Sequence, residues 1–202
     1  MIAGVVLAAG SGTRIGIPKA LLRTANDRES FLERACVVLR DGGADEIVVV
    51  IGAEYEAARP LPPHVRGVIN PDPSRGQLSS LHCALRVVGV DRCEAMIVLP
   101  VDVPLVRAAT VMLLLEAWRR TRAAVTRPVR GTEHGHPVVF DRAVFAELEH
   151  ADPARGAKEV VRAHASAAGE VTVADAGAFT DVDTAEDYVK LFGRLPQRAA
   201  VR

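Results

Sequence analysis

Apolar runs recur along the chain at Met1 to Leu7 (MIAGVVL), Glu46 to Ile51 (EIVVVI) and Ala95 to Leu99 (AMIVL), and each reads as a buried strand. Between them, apolar positions fall three and four residues apart. Ser30 to Asp41 (SFLERACVVLRD) has that helical spacing and stops at Gly42 and Gly43; Gln77 to Val88 reads as a second helix. Ala108 to Arg122, with Trp118 on its apolar stripe, is the clearest helix of the chain. A short helix after the second strand leads into the proline-rich Pro60 to Pro63 and a strand at Val65 to Ile69. Asn70 to Gly76 (NPDPSRG) is too rich in turn formers for regular structure. Farther on, strands are predicted at Ala123 to Thr126 and His136 to Phe140, separated by a polar stretch. A helix-rich segment from Asp141 to His164, a strand at Glu170 to Val173 and a last helix starting near Thr184 (TAEDYVKLF) follow. Strands alternating with helices predict an α/β fold, a mostly parallel sheet covered by helices on both faces. The 202 residues are read as one domain over 1–193 and a tail, 194–202, that frays.

Composition narrows the partners. Twenty-five basic residues balance twenty-five acidic ones, so no overall basic field draws the chain to nucleic acid or anionic lipid. No apolar run reaches the roughly 18 residues of a membrane span, and the apolar start lacks the charged leader of a signal peptide, which predicts a cytoplasmic protein. Cys36, Cys83 and Cys93 are odd in number and widely spaced, as expected of reduced core residues rather than a disulfide framework or zinc site.

Chemistry concentrates in LAAGSGTRIGIPKALL, Leu7 to Leu22, at the carboxyl end of the first strand, where open α/β sheets bind ligands. Gly10, Gly12 and Gly16 permit positive φ and close approach of backbone amides to an anion. Arg14 offers a planar fork for phosphate oxygens and Lys19 a point charge. Lysine occurs only at 19, 158 and 190 in this arginine-rich chain, which singles out Lys19. The dinucleotide pattern G-x-G-x-x-G fails because Gly16 comes one residue late, and G-x-x-x-x-G-K-[ST] fails because Lys19 follows Pro18.

The spacing L-A-A-G-x-G-x-R-x-G-x-P-K-x-L-L resembles the signature of the MobA-like nucleotidyltransferases, which include molybdopterin cytidylyltransferase and molybdopterin-guanine dinucleotide synthase. Ile15 stands where that family usually has methionine. RGQLSSL (Arg75 to Leu81), LPVDVP (Leu99 to Pro104), GHPVVF (Gly135 to Phe140) and DVDTAED (Asp181 to Asp187) extend the resemblance nearly end to end. It implies a doubly wound, three-layer sheet of the nucleotide-diphospho-sugar transferase kind and a Mg²⁺ cofactor. It also implies that a nucleoside triphosphate lies along Leu7, Ala8, Ala9, Gly10, Gly12, Asn70, Gly76, Ser79 and Ser80, with Arg14 and Lys19 on its phosphates. The Ala8-Ala9-Gly10 form of the loop is closer to the cytidylyl branch, since the guanylyl branch usually carries Ala-Gly-Gly; the expected nucleotide is CTP. Molybdopterin as the phosphorylated acceptor follows from the resemblance, with His136 beside it; relatives with similar loops also use sugar phosphates and other phosphorylated acceptors, so a guanylyl or sugar-phosphate nucleotidyltransferase is the alternative.

Asp102, just past a buried strand, has the position of a hard oxygen ligand for Mg²⁺ on phosphates, or of a cap for the next helix. Asp183 aligns with the family's acidic ending as a second ligand, though capping of the last helix explains it as well. Ser79 has no evident base partner, which argues against a nucleophilic serine. Two further readings of the same pocket are a carrier that delivers finished cofactor to a molybdenum hydroxylase and a pyridine-nucleotide oxidoreductase.

Overall fold

The computed structural model describes residues 1–10, 12–25, 29–56, 61–89, 91–152 and 155–198. Pro60, residues 153–154 and the tail residues 199–202 lie outside these. β1 (Ile2–Ala8) runs parallel between β2 (Glu46–Ile51) and β4 (Ala95–Pro100), and β3 (Val65–Ile69) extends the sheet beyond β2. α1 (Phe31–Asp41), the short α2 (Ala53–Glu56) and α3 (Gln77–Val88) make the crossovers. Past β4 the chain crosses α4 (Ala108–Thr121) and the sheet turns antiparallel. There β5 (Val125–Arg130) and β7 (Val138–Asp141) pair, β6 (Glu133–His134) folds back on β5, and β8 (Glu170–Thr172) adds in parallel to β5. The order is β3-β2-β1-β4-β7-β5-β6, the mostly parallel, doubly wound sheet that the alternation predicted.

Residue parity divides the core. Ile2, Val6 and Ala8 of β1 face one side with Ile47, Val49 and Ile51 of β2; Ala3 and Val5 face the other with Val48 and Val50. Successive strand side chains point to opposite faces, so strands that are apolar throughout feed two cores. The first core takes α1, α4 and α7 (Ala185–Phe192); the second takes α3, α5 (Phe145–His150) and α6 (Lys158–Ala163). Cys36, Cys83 and Cys93 are buried free thiols, and burial pushes the Cys36 thiol up to about 12. No helix among the described residues is long and apolar enough to cross a membrane.

Three expectations are corrected. The strand predicted at Ala123 to Thr126 instead runs Val125–Arg130: Arg127 begins the polar stretch that follows in the sequence, yet it pairs with Glu170 at 3.0 Å and its side chain is only 14% exposed. The tail expected to fray from residue 194 is tied down as far as Arg198. Leu22 bridges Arg198, the Arg23 amide donates to the Gln197 carbonyl at 3.1 Å, and Arg194 donates to the Thr24 carbonyl. Third, Gly10 does not take positive φ, whereas Gly12 and Gly16 do.

Candidate active site

The loop after β1 is shaped by Gly12. Its φ is +63°, its carbonyl accepts from the Ile15 and Gly16 amides at 2.9 Å, and a Cβ there would lie 2.1 Å from the Ile17 carbonyl oxygen. Only glycine closes this turn. Gly10 is different: a Cβ would meet nothing within 4 Å, so the protein's own packing does not require glycine there.

The turn returns the chain through Pro18 to Lys19, whose ammonium lies 2.9 Å from Asp102 Oδ2 and 2.5 Å from Asp183 Oδ1. Burial lowers the Lys19 pKa, and the hydrogen bonds and charges of Asp183 and Asp102 more than reverse this, so it titrates above its ordinary range. Neither aspartate is a helix cap. Thr184 and Asp187 form the capping box of α7, and the first turn of α4 is capped from elsewhere: Asp175 accepts from the Arg107 amide at 2.9 Å and the Thr110 hydroxyl at 2.6 Å. The two site carboxylates are therefore free to face one cation.

Two remote segments are brought together to do this. The Val182 amide donates to the Asp102 carbonyl at 2.8 Å, and the His136 amide donates to the Ala178 carbonyl at 2.8 Å. Gly135 makes the second approach possible, since a Cβ there would lie 2.3 Å from the Ala178 carbonyl oxygen. Arg14 is 70% exposed, with its guanidinium 4.0 Å from Asp183, within reach of an incoming anion.

Around this cluster lie three hollows, the central one sharing lining residues with each of the others. One of about 240 Å³ holds Lys19 and Asp102 beside Ala9, Gly10, Gly76 and Ser80. A second, of about 190 Å³, lies on the β2 side between Ala8, Ala9, Gly10, Gly52 and Asn70. The third, about 350 Å³, opens across Leu7, Gln77 and Pro100 toward His136, Arg127 and α6. Leu7 thus divides the central hollow from the third.

Ser79 and Ser80 are both held by Asn70, and Ser80 also faces the Lys19 hollow. Buried Asn70 donates through one amide nitrogen to both hydroxyls, at 2.8 and 2.9 Å, and the Ser79 hydroxyl also contacts the Gly76 carbonyl at 2.8 Å. The trio pins the start of α3, and Ser79 lines a side hollow with His82 rather than the Lys19 cleft. Burial holds the His136 imidazole below its ordinary pKa against the pull of Asp102 and Asp181, and its Nδ1 is buried with no hydrogen-bond partner among the described residues. Arg127 and Arg162, which the sequence does not single out, line the third hollow beside Gln77 of the RGQLSSL element.

Lys19 Nζ occupies the place where a divalent cation would fit. Two carboxylate oxygens converge on a single point, and no group of three or more metal-ligating side chains occurs among the described residues. That donor set suits a hard ion that completes its shell with phosphate oxygens and water.

A mostly parallel sheet of this order with a glycine-built loop at its carboxyl edge is the fold of its nucleotidyltransferase neighbours. The MobA-like NTP transferase domain matches residues 4–168, and the chain belongs to that family. "Probable molybdenum cofactor guanylyltransferase" from Opitutus terrae is 34% identical over 132 residues, which span 65% of this chain and 63% of that protein. "Nicotine blue oxidoreductase" from Paenarthrobacter nicotinovorans is 32% identical over 94% of this chain and 96% of its own. The crystal structure of Rv0371c from Mycobacterium tuberculosis superposes with a TM-score of 0.82 at 30% identity, covering 96% of this chain and 97% of that one; a second structure of Rv0371c is a complex with manganese.

Proposed function

We propose that the protein transfers a nucleoside monophosphate from a nucleoside triphosphate, CTP, to a phosphorylated acceptor of the molybdopterin kind, releasing pyrophosphate. The observation that carries this reading is the Lys19 ammonium between Asp102 and Asp183 at the lip of the glycine loop. An oxygen of the acceptor phosphate attacks the α-phosphorus. The bond from that phosphorus to the bridging oxygen breaks, and pyrophosphate leaves with the electron pair. Arg14, Lys19 and the loop amides hold the β- and γ-phosphates and take up the charge that grows on the departing group. Asp102 and Asp183 would hold a divalent ion, Mg²⁺, which supplies charge neutralisation at the α-phosphate when bound. With this chemistry no residue need become a covalent intermediate, which agrees with the structural use of Ser79.

The base is assigned to the hollow of about 190 Å³ on the β2 side, where Ala9 carries a methyl group at the position the guanylyl branch fills with glycine. That methyl favours the smaller pyrimidine. The names of curated relatives, molybdenum cofactor guanylyltransferases from Opitutus terrae and Rhodopirellula baltica, favour GTP. Incubation with Mg²⁺ and each of CTP, GTP, ATP and UTP, with and without molybdopterin, decides between them by pyrophosphate release. Molybdopterin-dependent release from CTP is the expected result; release from GTP alone moves the protein to the guanylyl branch. The near full-length similarity to nicotine blue oxidoreductase supports a second reading, a pyridine-nucleotide oxidoreductase using the same hollows. Oxidation of NADPH in the presence of a quinonoid dye, with no pyrophosphate from any nucleotide, would establish that reading and overturn the first.

A further inference from the structure

Lys19 and Asp183 meet across 164 residues of chain, and a small frame behind them sets how they meet. Lys19 opens a short 3-10 turn, Lys19–Leu21, and the chain leaves that turn extended. Residues 22–24 then form the middle strand of a three-stranded ribbon. On one side the Phe31 amide donates to the Leu22 carbonyl at 2.8 Å and the Thr24 amide to the Glu29 carbonyl at 3.0 Å. On the other, Leu22 bridges Arg198, the Arg23 amide donates to the Gln197 carbonyl at 3.1 Å, and Arg23 Nε donates to the Arg198 carbonyl at 2.8 Å. The segment that delivers Lys19 is therefore held between the start of α1 and the segment that follows α7.

α7 closes the frame. Asp183 stands just before it, and Tyr188 on it is fully buried. The Tyr188 ring packs against Phe31, at 6.1 Å between centroids, and Phe192, at 4.7 Å. Burying a phenol also buries its hydroxyl, which must then find a partner. It donates to the Arg23 carbonyl at 2.9 Å. Arg23 lies four residues past Lys19 and Tyr188 five past Asp183, so this one bond joins the two rails of the frame just behind the ammonium and the carboxylate. Phenylalanine would fill the same ring site; packing asks for an aromatic ring, and only the bond asks for tyrosine.

We propose that Tyr188 is a positioning residue for the Lys19 centre: by tying α7 to the segment that carries Lys19, its hydroxyl fixes the register of the Lys19 ammonium against Asp183. What the aligned pair is used for rests on the nucleotidyl-transfer reading, but the alignment can be measured without substrate. Tyr188 lines none of the three hollows, so it acts on a ligand only through Lys19 and Asp183. Without the bond, α7 keeps its ring contacts and its capping box, and the frame opens more often rather than collapsing.

Nuclear magnetic resonance of the lysine ammonium groups reads the alignment directly, since the chain has only three lysines and Lys158 and Lys190 are exposed. The Lys19 ammonium, hydrogen-bonded to two carboxylates, should exchange its protons with water much more slowly than the other two. In Tyr188→Phe that exchange is expected to quicken roughly fivefold, the change in opening that one lost hydrogen bond allows. Trp118→Phe removes another bond of a buried ring, from Nε1 to Asp141 at 2.9 Å, where Asp141 pairs with Ala95 at the amino end of β4. It should lower Tm without changing the Lys19 signal. An unchanged Lys19 signal in Tyr188→Phe, or an equal change in Trp118→Phe, would overturn the proposal. Turnover adds a second readout: with the glycine turn intact, Tyr188→Phe should lower kcat about tenfold and leave KM for the nucleotide within about twofold. A rise in KM at constant kcat would also overturn it. A wild-type protein that releases no pyrophosphate from any nucleotide removes the transferase and leaves the exchange measurement to decide this assignment.

Discussion

At Lys19 one half-buried ammonium faces two carboxylates, with the exposed Arg14 guanidinium 4.0 Å from the second of them. A divalent ion on Asp102 and Asp183 would bring the pair to zero and release Lys19 for phosphate. Lysine and cation therefore compete for the same oxygens in the nucleotide-free protein. Replacing Lys19→Met should tighten Mn²⁺ binding several-fold in an electron paramagnetic resonance titration without nucleotide, whereas Asp102→Asn should weaken it. Both variants should lose about 10²–10³ in turnover, the scale of one preorganised charged contact, with thermal unfolding still cooperative. Mn²⁺ affinity unchanged in both variants would mean that the carboxylates do not face a metal. Lys19, Arg14 and Asp102 were legible in the sequence because one loop and one strand end put them at a common sheet edge. The hydrogen bonds that hold Ser79 and Ser80 to Asn70 were not, because nothing in local sequence says that this amide lies within 3 Å of either hydroxyl.

Among the elements, legibility follows how local the stabilising partner is. α1 begins where Ser30 and Glu33 make a reciprocal capping box three residues apart, and α7 begins the same way at Thr184 and Asp187, so both starts can be read from the chain. α4 has no side-chain cap of its own; Asp175, 65 residues beyond Thr110, supplies it while buried at 7% exposure. β5 hides in the same way, because Arg127 needs Glu170 of β8 before it can sit in a sheet. Asp175 also fixes the bend that brings Ala178, Val182 and Asp183 to the site, since it accepts from the Gly177 amide at 3.1 Å. Asp175→Ala leaves the first turn of α4 and a buried hydroxyl without an acceptor, a loss of about 2 kcal/mol. In urea unfolding the midpoint should fall with an unchanged slope, and Tm should drop by about 4–8 °C for a chain of this size. A shift below 1 °C would show that this carboxylate does not hold the C-terminal segment in place.

Over the whole molecule, the parallel half β3-β2-β1-β4 supplies the glycine loop and Asp102, while the antiparallel half and the segment leading into α7 supply His136 and Asp183. The parallel half was legible because its strands are apolar throughout and separated by clear helices. The other half is harder to read: β5 carries Arg127 and Pro128 within it, β6 has only two residues, and β8 joins β5 through the Arg127–Glu170 pair from 43 residues away. Lys19 joins the halves over sequence separations of 83 and 164 residues, so a ligand on this cluster bridges chain segments that part only when the fold is lost. Such a ligand stabilises the native state by mass action, about 2.7 kcal/mol at a hundredfold excess over Kd, or about 5–10 °C in Tm for cooperative unfolding at this length. CTP with Mg²⁺ is expected to raise Tm by that amount in a thermal scan, and by much more than CTP alone or Mg²⁺ alone, since the phosphates must draw Lys19 away before the ion gains both carboxylates. Lys19→Met should remove most of the shift produced by the pair, while Lys190→Met, on α7 and outside the cluster, should keep it. Equal shifts in the two variants would place the nucleotide somewhere other than the loop after β1.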